Sequence, residues 1–385
     1  MNELSFTPIS SPEPTVDSIT TLPTNIHGKI LEFLDNIDCL VAAVLTHRCF
    51  NDAFRRQPIV VTTTVLKRQV AHSVQPLAVA TLEASHIKYT VEDIEEVDGL
   101  IIDLSEYPEY FLKRLDPKLR RCLPIKDLFE IGDLHNFIGL LIDDYSSRAW
   151  KEFSGREDPV NLSEQERYRF YHAFYYLELF LVVCKDEKMT ISEFEGSRSQ
   201  HFLGLLSSWE WVQLASVYRH RLLEEVGENT NGFSRITSMW TKIWVSHGLG
   251  FLMRLEKTTD PKIRKKLLVS AMKGGNAVLD VHEKFLLAEK YHQMFRPFDQ
   301  ISQEDADFFM DICNPFSYES PMSPSTIWAI CHFCFVPKTW WADWKAGFKP
   351  AGTAYDFWDV ARIRNHYLMH PKVNPKSKMI LAMEI

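Results

Sequence analysis

Glycine is scarce in this chain, with 15 glycines among 385 residues. Long stretches that contain leucine, glutamate, lysine and arginine run without turn signals, and no fixed-period repeat is present. A sheet-rich fold needs many tight turns and a solenoid needs a repeat, so both are disfavoured. Because 45% of the residues are hydrophobic, the chain can bury a sizeable core. The sequence therefore predicts an all-α protein.

Positive charge is also in short supply, since 43 Lys and Arg residues are outnumbered by 51 Asp and Glu residues, for a net charge of -8. Phosphate binding normally requires a basic face, so we expect no nucleic-acid partner. One basic run, 261–266, alternates with apolar residues in a helical pattern. We interpret it as a solvated helix face.

Long apolar runs are missing as well. No stretch reaches the ~20 apolar residues that a membrane span requires, and the first residues lack the basic segment and apolar run of a signal peptide. The seven cysteines are an odd number at scattered positions, unlike a secreted disulfide framework. We therefore expect no membrane association and a reducing compartment, the cytoplasm or the nucleus.

Catalytic signatures are absent too, since no Gly-x-Ser-x-Gly, phosphate-binding glycine loop or His-Glu-x-x-His occurs. Adjacent carboxylates such as Asp143 and Asp144 diverge by about 100° on a helix, which favours solvation over acid–base catalysis. His172 and Glu178 lie in an apolar helical run, and we interpret both as buried, hydrogen-bonded groups. The sequence predicts a protein that is not an enzyme and needs no cofactor.

One possible metal site lies toward the end of the chain. Cys331 and Cys334 have Cys-x2-Cys spacing, and His366 and His370 have His-x3-His spacing, the two halves of Cys2His2 zinc ligation. However, 31 residues separate the halves, against about 12–15 in the usual finger. Buried thiols in an apolar helix are the favoured interpretation, with a structural zinc ion as the alternative.

Composition divides the chain into three parts. Residues 1–20 are rich in Pro, Ser and Thr and predict a disordered lead-in. Residues 21–57 predict three short helices. In the first of these, Ile26, Ile30, Phe33 and Leu34 fall within about 100° of arc. Asp38 is placed to cap the second helix and Thr46 to precede the third. Residues 58–385 predict a larger, irregular helical domain.

Two helix starts in this larger domain have local signals. Ser163 and Glu166 have the spacing of a capping box, immediately before an aromatic-rich helix at 168–184. Asp260-Pro261 predicts the start of a further helix.

The pair Leu22-Pro23 opens the three-helix segment. Proline holds the preceding residue in an extended conformation and suits the first turn of a helix, so Leu22 projects outside the helix as an anchor. Leu-Pro followed by Ile26, Ile30, Leu31, Leu34, Asp38 and Leu40 resembles the F-box. The resemblance covers about a tenth of the chain.

The F-box resemblance implies a function for this segment. F-box helices insert into a groove on a small adaptor protein that bridges them to a cullin scaffold, and the rest of the chain recruits a protein substrate. The resemblance implies a substrate-recruiting subunit of a cullin-RING (SCF-type) ubiquitin ligase. The adaptor-binding residues that it implies are Leu22, Pro23, Ile26, Ile30, Leu31, Leu34, Leu40, Val44, Leu45 and Phe50. Many F-boxes have Trp at the last position, so Phe50 predicts weakened binding.

The larger domain resembles the helical remainder of uncharacterised fungal F-box-like proteins. The resemblance rests on four aromatic-rich stretches, namely 174–180, 209–215, 244–249 and 357–362. It implies an architecture without any assigned chemistry. The alternative is a helical protein-interaction or regulatory protein that belongs to no ligase.

Overall fold

The computed structural model describes most of the first half of the chain and shorter parts of the second. The described residues are 21–87, 94–154, 160–183, 202–203, 206, 210, 213–218, 247–274, 357–359 and 362. They form helices joined by turns and loops, and no strand occurs among them. The all-α prediction is confirmed for this part of the chain.

The chain divides into two compact units. The first contains the residues up to Ala71 together with Leu115–Gly132. The second contains His72–Arg114 and the residues from Asp133 onward. Each unit is therefore built from segments that are separate in sequence.

Four short helices open the first unit. They are α1 (Thr24–Glu32), α2 (Ile37–Thr46), α3 (Arg48–Arg56) and α4 (Pro58–Gln69). The carbonyl of Pro23 accepts the Ile26 N–H at 2.9 Å, so α1 starts without a side-chain cap. Both α1 and α2 pack against α3 and α4.

Two helix starts differ from the sequence prediction. Asn36, and not Asp38, caps α2, because Asn36 Oδ1 accepts the Cys39 N–H at 2.8 Å. The cap of α3 is His47, the residue after Thr46. His47 Nδ1 accepts the Cys49 N–H at 3.1 Å. Asn and Asp have similar capping chemistry. The sequence therefore indicates that a cap is present near this position, but it does not identify the residue that provides the cap.

The second unit is centred on one buried helix. It contains α5 (Gln75–His86), α6 (Ile94–Glu106), α7 (Pro108–Lys113), the residues of α8 (Ile125–Ser154) from Asp133 onward and α9 (Glu164–Val183). Later in the chain come a helix at 247–257 and α10 (Pro261–Gly274). Most side chains of α9 are buried, as expected of a helix that is packed on all sides, and α5 lies against it.

The predicted capping box at the start of α9 is confirmed. Ser163 Oγ accepts the Glu166 N–H at 3.1 Å, and the Glu166 carboxylate accepts the Ser163 N–H at 2.9 Å. The helix predicted after Asp260 is also present, since Asp260 Oδ1 accepts the Lys262 N–H at 2.8 Å. Local capping signals therefore locate these two helix starts correctly.

Candidate docking surface

α1 carries two neighbouring faces, one buried and one exposed. Leu31 is completely buried, and His27, one turn before it, is 2% exposed. Ile26, Ile30 and Phe33 lie on the adjacent side and are 40%, 37% and 72% exposed. We call these three residues the outer row of α1. An apolar row thus faces solvent while a histidine faces the interior.

The buried histidine has an aromatic partner on α3. The ring of Phe50 packs edge-on against the ring of His27, with centroids 5.6 Å apart and planes at 81°. Edge-to-face packing is a favoured arrangement for such rings. Phe50 is therefore half-buried inside the helix trio.

α2 repeats this division between a buried and an exposed side. Ile37 and Leu40 are buried, whereas Val41 and Leu45 are 38% and 77% exposed. Val41 and Leu45 are four residues apart and so lie on the same side of the helix. We call this pair the outer row of α2.

The inner faces are held by contacts from outside the three helices. The Gln69 amide accepts the Ile37 N–H at 3.0 Å and donates to the Gly132 carbonyl at 2.8 Å. A Cβ on Gly132 would lie 2.5 Å from Ile37 Cγ1, so glycine permits this close approach. The position of α2 thus depends on α4 and on the first residues of α8.

One cation lies beside the outer row of α1. The guanidinium of Arg68 is 5.3 Å from the ring centroid of Phe33, and its Nη1 donates to the Leu34 carbonyl at 3.3 Å. A cation at this distance is attracted to the ring face. It leaves most of Phe33 open to solvent, and a docking partner could bury the remainder.

The ten predicted adaptor-binding residues fall into three groups. The exposed ones are Leu22, Pro23, Ile26, Ile30 and Leu45, the half-buried ones are Leu34, Val44 and Phe50, and the buried ones are Leu31 and Leu40. The buried pair holds the helices together from inside the unit. Phe33 and Val41 belong to the exposed rows but not to the predicted set, although Phe33 lies in the same predicted arc as Ile26 and Ile30.

A network of buried charges joins the start of α9 to residues near the end of the chain. Glu166 is completely buried, and its two oxygens accept hydrogen bonds from the Arg362 guanidinium, each at 2.6 Å. The Asp359 N–H donates to the same carboxylate at 2.9 Å. The Asp359 carboxylate in turn accepts from Arg169 at 2.9 Å and from the Ser163 hydroxyl at 2.6 Å.

The carboxylate of Glu166 has its full number of hydrogen bonds. With the Ser163 N–H included, each oxygen of Glu166 accepts two hydrogen bonds. A carboxylate oxygen that already accepts two hydrogen bonds has no lone pair left to bind a substrate group. We therefore interpret the cluster as a structural clamp. Phe357 and Trp358, which precede Asp359, also lie in the aromatic core beside Phe170.

Glu178 is a second buried carboxylate on α9, and it caps the helix at 247–257. It accepts the N–H groups of Leu249 and Gly250, the latter at 3.1 Å. Gly248 has φ +74°, and a Cβ there would lie 2.6 Å from a Glu178 oxygen. Glycine is therefore required at this position. The prediction that Glu178 is buried and hydrogen-bonded is confirmed.

His172, the other polar group of α9 predicted to be buried and hydrogen-bonded, is half-buried and packs among aromatic rings. Its ring lies 4.4 Å from that of Tyr176, and its Nε2 is 3.6 Å from a Glu210 oxygen. Burial lowers the pKa of His172 to about 4. The imidazole is therefore neutral in the folded protein at physiological pH.

The remaining predicted features have simpler outcomes. Asp143 and Asp144 form surface ion pairs with Arg167 and Arg148, at 3.5 and 2.8 Å. The possible zinc ligands lie outside the described residues; they are Cys331, Cys334, His366 and His370. Within the described ranges, no helix combines the length and the apolar character needed to cross a bilayer.

No family model, curated protein or solved structure matches the chain. The F-box resemblance therefore rests on the residues of the first unit, and the outer rows of α1 and α2 form its candidate docking surface.

Proposed function

We propose that α1–α3 dock on the small adaptor protein of a cullin-RING (SCF-type) ubiquitin ligase, and that this chain recruits a protein substrate to the ligase. The outer row of α1 is the observation that carries the proposal. Single exposed apolar residues are common, but apolar rows on two successive helices are characteristic of a surface that a partner covers. The F-box pattern that begins at Leu22 supplies the identity of that partner.

The energetics identify the residues on which docking would depend. Burying a fully exposed Leu or Phe side chain contributes roughly 1.5–3 kcal/mol. Phe33 and Leu45 are more than 70% exposed and would gain most of this amount, whereas Ile26 and Ile30 are already more than half buried. We expect Phe33 and Leu45 to contribute most of the binding energy, as a few central residues usually do.

The proposed mechanism requires no catalytic group in this chain. A substrate held on the second unit would be close to the ubiquitin-charged enzyme at the other end of the scaffold. Tethering raises the effective concentration of the reacting groups, and this alone accelerates transfer. The chain would act by positioning its substrate.

Co-purification with a recombinant adaptor tests the proposal through a matched pair of variants. Ile30 on α1 and Ile59 on α4 are the same residue type, lie in the same unit and are both 37% exposed. We expect Ile30→Asp to lose the adaptor and Ile59→Asp to retain it. Circular dichroism spectra should show that both variants are folded. Equal recovery of adaptor with the two variants would contradict the proposal.

A second outcome would favour the alternative function. If the wild-type chain recovers neither adaptor nor cullin from cells, the outer rows belong to a helical regulatory protein outside any ligase. Leu31→Asp cannot separate these functions, because Leu31 is fully buried and its loss would unfold the helix trio.

A further inference from the structure

A run of cations on α10 has no acidic partner among the residues that the structure describes. Lys262, Arg264, Lys265 and Lys266 are all exposed, and the sequence of α10 contains no acidic residue. The helix is held from its other side, where Ala271 is 2% exposed and the Ala271 carbonyl oxygen lies 3.3 Å from His247 Nε2. The cations therefore lie on the solvent side of the second unit.

The outward side of α10 has a regular pattern. Lys262 and Lys266 are one turn apart, and Val269, 43% exposed, lies about one turn later beside the line that they form. Ile263, 52% exposed, flanks the line. Neither of the two lysines forms an ion pair with another described residue. We call Lys262, Lys266 and Val269 the basic ridge.

α6 has the opposite pattern. Glu95, Asp103 and Glu106 are exposed, Ile102 between them is 41% exposed, and the sequence of α6 contains no basic residue. These four residues fall within about 100° of arc, on the side of the helix away from the buried Leu104. We call them the acidic ridge.

The acidic ridge also offers room for close approach. Gly99 is exposed on the same side of α6, and a Cβ built there would meet no atom within 4 Å. A glycine in the middle of a helix face lets another helix come near its backbone. The acidic ridge therefore combines charge, one apolar side chain and an open site.

We propose that the basic ridge of α10 binds the acidic ridge of α6 in a second copy of this chain. Each ridge combines charge of one sign with an exposed aliphatic residue, so the two are complementary in both respects. Both ridges lie on the second unit, and a two-fold axis would pair them twice. The proposed contact is independent of the docking of α1–α3.

A second copy fits the basic ridge better than a lipid surface does. An interfacial helix places its apolar residues at the centre of the membrane-facing side and its cations at the edges. On α10, Ile263 and Val269 lie on opposite sides of the line through Lys262 and Lys266. The cations are therefore central, as a contact with carboxylates requires.

The expected dimer is weak and sensitive to salt. Exposed ion pairs contribute little individually, and the charges are screened beyond about 8 Å at physiological ionic strength. Stable interfaces bury about 1,200–2,000 Å², more than two short helix crossings provide. The dimer should form at high protein concentration and dissociate as salt is added.

Sedimentation of the full chain with charge-reversed variants tests the proposal. Variant A carries Lys262→Glu and Lys266→Glu, and variant B carries Asp103→Lys and Glu106→Lys. The changes in B suit the last turn of a helix, where cations are favourable. We expect each variant alone to dimerise at least about tenfold more weakly than wild type. An equimolar mixture of A and B should form a dimer, because every contact then joins opposite charges.

A control separates specific contact from a change in net charge. Lys118→Glu with Lys126→Glu reverses two exposed lysines that belong to the first unit and to neither ridge, and it changes the net charge as variant A does. This control should dimerise as wild type does. A wild-type chain that stays monomeric up to millimolar concentration would overturn the proposal. So would variants that dimerise unchanged, or a mixture of A and B that stays monomeric.

Discussion

Glu166 is a charged group with no exposed surface, and its charge is balanced by a residue far away in the sequence. Arg362 donates to both of its oxygens and also donates to the Asn161 carbonyl at 2.6 Å. The guanidinium further lies 5.3 Å from the ring of Trp150. Because a buried charge is costly without its partner, this pair should matter more than any ion pair on the surface.

Replacing Arg362 with alanine should destabilise the second unit strongly. Glu166 would remain buried with only backbone N–H donors, and breaking a buried pair typically costs about 3–5 kcal/mol. Arg148→Ala removes an exposed pair with Asp144 and should cost less than about 1 kcal/mol. Urea unfolding of both variants measures the difference. Similar midpoints for the two variants would show that the clamp contributes no more than a surface ion pair.

His172 should make the stability of the fold depend on pH. Burial lowers its pKa to about 4 in the folded chain, against about 6.5 when unfolded. Above pH 6.5 the histidine is neutral in both states and the full stability is present. As the pH falls from 6.5 toward 4, only the unfolded state gains the proton, and about 3 kcal/mol is lost.

Chemical denaturation at a series of pH values measures this loss. His172→Gln removes the titrating group, so its free energy of unfolding should fall less steeply over the same range. Identical pH profiles for wild type and variant would rule out a contribution from His172.

At the scale of elements, α1 and α2 each present one apolar side to the unit and another to solvent. Contacts with α3 and α4 determine which side of each helix is buried. His27 packs against Phe50 on α3, and the Ile37 N–H donates to Gln69 on α4. Helical periodicity predicts the stripe of α1 but does not reveal which part of it is covered. The adaptor-binding residues predicted from the sequence therefore include Leu31 with Ile26 and Ile30, although Leu31 faces the interior and the other two face solvent.

The start of α2 provides a test of capping. Asn36 accepts the Cys39 N–H, so Asn36→Ala should destabilise the first unit by about 1 kcal/mol. Asp38→Ala, at the residue predicted as the cap, removes a favourable charge from the first turn and should cost only about 0.3–1 kcal/mol. Thermal unfolding of the two variants ranks the losses. A larger loss for Asp38→Ala would reassign the cap.

At the scale of the whole molecule, both units are assembled from segments that are distant in sequence. The first unit needs Leu115–Gly132 to complete it, and the second holds Phe357 and Trp358 in the core beside α9. The predicted domain of residues 21–57 lies inside the first unit, together with α4. The three helices of this segment therefore depend on structure beyond the F-box pattern.

A fragment of residues 21–57 should not fold by itself. It lacks Gln69 and Gly132, which hold Ile37, and all of α4, which packs on α1 and α2. So small a unit also buries too little apolar surface to be stable. Circular dichroism should show weak helicity without a cooperative thermal transition, whereas the full chain should melt cooperatively. Cooperative melting of the fragment would show that the three helices are self-sufficient.

The sequence by itself determined the all-α class, the capping box of Ser163 and Glu166, and the helix that begins after Asp260. These signals act within about one turn of helix, so neighbouring residues are sufficient to produce them. Only the tertiary structure decided that the outer row of α1 faces solvent and that Glu166 pairs with a residue 196 positions away. Burial and long-range ion pairing depend on which surfaces the folded chain brings together, and local patterning does not encode that choice.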